Sequence, residues 1–123
     1  MKKWIITAVC IVFSVIIGLS MLKKDTITLV INNTINEDID SLNLHYTGLK
    51  NDIEIPIIKA NDNIKFKVNI NKSFQEGSMK IYYIDKNNKK IETVIIGYFE
   101  EGYSETINVE ISMKNEVIQI TTD

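Results

Sequence analysis

The side chains best equipped for chemistry are scarce in this chain, which holds one histidine, His45, and one cysteine, Cys10. A Ser-His-Asp relay would have to run through His45, and no G-x-S-x-G turn presents a serine to it. A zinc site needs several His or Cys ligands, more than these two can supply. His45 falls on the polar face of an alternating stretch, so the expectation is a solvent-facing side chain with no catalytic or ligand role. Cys10 follows Val9 rather than a small residue, and the apolar run continues past it to Leu22. That context predicts a buried thiol and not a lipidation site. No cofactor is expected.

Oxygen-bearing residues offer two further patterns. Asn36-x-Asp38-x-Asp40 begins like an EF-hand loop, but Ser41 stands where glycine is needed and Thr47 where a bidentate glutamate is needed. The reading is an Asx-type connecting turn, with no metal bound. Glycoside hydrolysis requires a carboxylate pair, and Glu100, Glu101 and Glu105 lie close together in sequence. They sit in Gly97–Ser104 (GYFEEGYS), where Tyr98, Phe99 and Tyr103 surround Glu100-Glu101 between two glycines. Two readings stand side by side. Tyr98, Phe99, Glu100, Glu101 and Tyr103 form a partner-binding loop, or the rings plug the end of a β-sheet core. An envelope enzyme or cell-wall glycan-binding protein working through Tyr98–Glu105 is the alternative functional reading.

The elements that carry these residues read as short strands over 25–123. Ile27, Leu29 and Ile31 alternate with Thr28 and Val30, and Leu42, Leu44 and Tyr46 alternate with Asn43, His45 and Thr47. Ile53, Ile55 and Ile57 make a third strand, in which Pro56 predicts a sheet edge or a bulge. Ile64, Phe66, Val68 and Ile70 form the clearest alternation. Met79, Ile81 and Tyr83 follow, then the turn Asp85–Lys89, then Ile91–Ile96. Gly97–Ser104 is expected as a loop, followed by Ile107, Val109, Ile111 and Met113 and a last strand Val117–Thr121. Strands joined in series by tight turns predict antiparallel pairing. The expected fold is all-β, a small antiparallel β-sandwich of immunoglobulin-like type, with a small barrel as the alternative. Lys65, Lys67 and Lys80 are expected on a solvated sheet face that discourages edge pairing. Asn32-Asn33-Thr34 and Asn71-Lys72-Ser73 read as polar turns.

The first 24 residues differ in kind. Trp4–Leu22 is nineteen residues without charge, Asn, Gln or Pro, bracketed by Lys2-Lys3 and Lys23-Lys24. As a helix it would reach about 28 Å, close to the ~30 Å apolar core of a bilayer. The expectation is a single-pass signal anchor over 1–24, with cleavage after Ser20 as the alternative. The flanking lysines tie, and the short basic head favours export of the C-terminal domain. Ile, Asn and Lys are abundant and Arg is absent, a composition suited to an AT-rich bacterial genome. Beyond Lys24, ten lysines face sixteen acidic residues, about −6, which argues against nucleic acid as a partner. Taken together, these features predict a non-enzymatic, membrane-tethered, extracytoplasmic module. It would meet the lipid bilayer through Trp4–Leu22 and another protein, an envelope or secretion component or a toxin, at the cell surface.

Overall fold

The computed structural model describes residues 26–70 and 74–123. Trp4–Leu22, the cleavage point at Ser20, Cys10 and the Asn71-Lys72-Ser73 triplet lie outside the described residues. Within them the chain forms eight strands and no helix: β1 (Thr26–Asn33), β2 (Leu42–Tyr46), β3 (Ile53–Glu54), β4 (Asn63–Asn69), β5 (Glu76–Ile84), β6 (Lys90–Glu100), β7 (Glu105–Lys114) and β8 (Val117–Thr122).

These strands form two four-stranded sheets, ordered β4-β1-β7-β8 and β3-β2-β5-β6, stacked as a sandwich. The period-2 alternation drives this arrangement, since each strand has one apolar face to bury. Ile27, Leu29 and Ile31 of β1 meet Leu42 and Leu44 of β2, Met79 and Ile81 of β5 and Val109 and Ile111 of β7 in one core. Separate ladders with four edge strands, β4, β8, β3 and β6, make it a sandwich and not a closed barrel.

One pairing departs from the antiparallel expectation. β1 and β7 run parallel, with Ile27 opposite Glu105 and Ile31 opposite Val109. Turn length constrains only hairpin neighbours, here β2–β3, β5–β6 and β7–β8. β6 ends in the other sheet at the end where β1 begins, and β7 crosses over there, so the two strands start together.

Three boundaries also differ. The third strand is only Ile53–Glu54, with one further bond from the Ile55 amide to the Leu42 carbonyl at 2.9 Å before Pro56, whose missing N–H falls on the open edge. After it the inward face shifts by one residue, so Ile58 is buried and bridges Ile39 while Ile57 is exposed. Gly97–Glu100 is not loop but the end of β6, and the turn contracts to Glu101-Gly102, with Gly102 at φ +85°. A register irregularity opposite Met79 buries both Ile95 and Ile96, which hides the strand's continuation from simple alternation. Finally, β5 begins at Glu76 rather than beyond Ser78, because Gly77 lets the chain pass close to Thr47. A Cβ at Gly77 would collide with the Thr47 side chain.

The connections at the end of the sandwich where β1 finishes are held by one buried polar residue. Asn33, fully buried, accepts the Ile35 amide on Oδ1 at 2.9 Å. Its Nδ2 lies 2.8 Å from the Glu37 carbonyl, 3.2 Å from that of Ile58 and 3.1 Å from that of Lys59. Thus it ties the β1–β2 connection to the β3–β4 connection.

Candidate functional site

The loop singled out from the sequence resolves into two environments. Phe99 faces inward, stacks on Phe74 at 4.5 Å between centroids, and has Tyr103 at 5.7 Å on its other flank. Tyr46 meets Phe74 edge-on at 5.8 Å, so four rings close this end of the core. Tyr98 points the other way and is 58% exposed. Its hydroxyl lies 2.8 Å from Glu100 and 3.0 Å from Glu76, opposite residues on β6 and β5. These two carboxylates, Glu100 first, push the Tyr98 phenol well above its ordinary range. Glu101 is exposed in the turn. All of this lies at the end where β1 begins, as the Ser104 hydroxyl donating to the Thr26 carbonyl at 3.1 Å makes plain.

His45 belongs to a network that its sequence neighbourhood does not announce. It projects from β2 on the outer face of the β3-β2-β5-β6 sheet, half exposed, with Nδ1 2.7 Å from Asp52 Oδ1. Tyr82 of β5 donates its hydroxyl hydrogen to the other oxygen of Asp52. Those two bonds, Tyr82 first, hold the Asp52 carboxyl below its usual value. The same carboxylate pushes Tyr82 up to about 12. Lys90 lies over the Tyr82 ring at 4.3 Å and pairs with Glu92 at 3.0 Å, and Lys80 reaches Glu92 at 3.1 Å. Among the described residues no serine or threonine hydroxyl hydrogen-bonds His45, whose ring partner is Asp52 in a positioned surface cluster.

The Asn36–Asp40 segment is committed to the protein itself. Asp38 accepts the Ala60 amide at 3.0 Å and pairs with Lys59 at 3.2 Å, and Asn36 accepts from Asn61 at 3.1 Å. The Ala60 bond, then Lys59, lowers the Asp38 carboxyl. Among the described residues no three His, Cys, Asp or Glu side chains converge on a metal-sized site.

The remaining feature is the sandwich's edges. On one side β6 lies against β8, and the Thr93 hydroxyl donates to the Ile120 carbonyl at 2.8 Å, so each edge covers the other. On the opposite side β3 is two residues long and stops before Pro56. That leaves β4, seven residues paired only to β1, as the one long uncovered edge among the described strands. Its outward residues are Asn63, Lys65, Lys67 and Asn69, and its inward Ile64 and Phe66 are only half buried, as is Ile53 on the facing edge. The sequence locates these lysines on a sheet face, but only the strand order reveals that they flank an open edge. Lys80 lies in the other sheet, so the three lysines do not share one sheet face.

Comparison with protein-family models, with curated proteins and with solved structures finds no match to this chain.

Proposed function

We propose that this chain is a non-enzymatic interaction module, an immunoglobulin-like sandwich held at the outer surface of a bacterial membrane by Trp4–Leu22. In this reading it contacts another protein of the cell envelope, such as a secretion component or a toxin it neutralises. The single observation that carries the reading is the asymmetry of the sandwich. One side is closed by the Thr93–Ile120 bond, while β4 offers an uncovered backbone edge beside the half-buried Ile64 and Phe66. Unpaired strand edges are sites of association that folded domains otherwise cover.

The tether adds a geometric argument. β1 begins at Thr26, two residues after Lys24. The Tyr98–Glu105 stretch lies beside Thr26, so an uncleaved helix turns that stretch toward the bilayer and leaves the β4 edge, along the flank, open to a protein. The rival glycan-binding reading draws on the exposed Tyr98 ring beside Glu76 and Glu100.

Photo-crosslinking in intact cells tests the proposal, with the reactive group placed at Lys65, at Tyr98 or at Val94. A reproducible protein adduct from Lys65 is expected. Absence of a protein adduct from all three positions sinks the module reading, and glycan adducts confined to Tyr98 favour the rival.

A further inference from the structure

Resting on that reading, we infer that the β4 edge takes an extended segment of a different protein as an added strand, and that this segment alternates acidic with apolar residues. The outer flank of β4 carries two positive charges, Lys65 and Lys67, spaced by two and so on one face. Neither makes an ion pair among the described residues. The inner flank carries Ile64 and Phe66, half buried because β4 has no neighbour on that side and β3 ends at Glu54. A strand laid along this edge therefore meets two chemistries at alternate positions. Acidic side chains opposite Lys65 and Lys67 make cross-strand ion pairs, and apolar side chains between them cover Ile64 and Phe66.

The same residues reject a second copy of this chain. Antiparallel β4–β4 registers centred on Lys65, Phe66 or Lys67 all set lysine opposite lysine when the core faces are kept on one side. Like charges directly opposed across a strand pair are destabilising. The lysines thus protect the edge against self-association, as edge lysines commonly do, and by the same charge favour an acidic strand. The eight described strands supply no such partner, since each is already placed in one of the two sheets.

The test uses the full chain in detergent micelles and three synthetic peptides with identical apolar residues. One has glutamate at the alternate positions, one has lysine there, and one is the glutamate peptide N-methylated along the edge that would bond β4. The glutamate peptide is expected to bind about tenfold or more tightly than the lysine peptide, from two cross-strand pairs. N-methylation is expected to abolish that binding, and the glutamate peptide is expected to slow hydrogen exchange at β4 amides. A Lys65→Glu/Lys67→Glu variant, with unchanged thermal stability, is expected to reverse the preference. Equal binding of both charged peptides, full binding of the methylated one, no binding of any, or an unreversed preference in the variant each overturns the inference. A Lys65 crosslink in cells alongside such a peptide result would leave the interaction module standing and remove only strand addition. Loss of both would remove the module reading as well.

Discussion

The side-chain oxygen of Asn33 accepts the backbone hydrogen of Ile35 at 2.9 Å, turning the chain sharply as it leaves β1. The same side chain's nitrogen faces the carbonyls of Glu37, Ile58 and Lys59. A single amide thus joins two connections that are also linked by the Ile39–Ile58 bridge, the Asn61 amide on the Ile35 carbonyl at 3.0 Å and surface contacts.

Asn33→Ala is therefore expected to cost about 2–4 kcal/mol, since the Ile35 amide and Glu37 carbonyl lose their partner in a buried site. Asn33→Asp keeps the acceptor but turns a carboxylate toward three carbonyls, so its loss should exceed that of alanine at neutral pH and shrink as pH falls toward 4. Denaturant unfolding of the three proteins at both pH values checks this. Asn36→Ala, exposed at the same end, should change stability by less than about 0.5 kcal/mol.

A different kind of constraint acts where β5 enters its sheet. Gly77 has no room for a Cβ against Thr47, whose hydroxyl accepts the Ser78 amide at 3.0 Å and whose amide donates to the Ser78 carbonyl at 3.1 Å. Gly77→Ala should destabilise by about 1–3 kcal/mol through backbone displacement. Thr47→Gly in the same chain should restore part of that loss, so the double variant should be more stable than the sum of the single changes implies. Thermal melts of the four proteins measure the coupling.

Tyr82 and Asp52 make opposite predictions at the two ends of the pH scale. The Asp52 carboxyl is lowered on folding, so its contribution is present above the ordinary carboxyl range, near 4, and fades as pH falls through the folded value. The Tyr82 phenol is raised to about 12, so its contribution holds below the ordinary tyrosine value of about 10 and is lost as pH climbs toward about 12. Asp52→Asn should flatten the acid limb of the stability profile and bring Tyr82's ionisation back toward about 10. Absorbance titration of the tyrosines in a Tyr98→Phe/Tyr83→Phe background, which removes the other two phenols raised on folding, follows the second effect directly.

At the end where β1 begins, neighbouring aromatics of one segment should behave oppositely. Phe99→Ala empties the centre of the Phe74–Phe99–Tyr103 stack and should cost about 3–5 kcal/mol. Tyr98→Phe removes only exposed hydrogen bonds and should leave the melting temperature within a few degrees of the parent. Melting curves recorded side by side separate the two.

How much of this was legible in the residues depends on how local each feature is. The alternation in Leu42–Tyr46, in Ile64–Ile70 and in Ile107–Ile111 names the buried face of β2, β4 and β7 correctly, because period 2 is a property of the strand alone. Asn33 escapes that reading: it looks like one of three polar turn residues, and its burial arises from carbonyls four, 25 and 26 residues away. His45, Asp52 and Tyr82 likewise come together only through the register that sets Asn43 opposite Tyr82 and His45 opposite Lys80. The exposed edge of β4 is visible only once strand order is known. In each case the missing information is a long-range pairing, which no window along the chain contains.

The parallel β1–β7 ladder has a temporal consequence. β1 is among the first described residues to be synthesised, yet one flank of it stays bare until β7 arrives after five intervening strands. Contacts of such sequence separation are slow to close. The growing chain therefore spends its synthesis with Ile27, Leu29 and Ile31 in an unfinished sheet, vulnerable to proteases and to wrong strand partners. Truncation after β6 should yield a chain that never acquires the protection of the whole, and the β7–β8 hairpin works as the clasp of the fold.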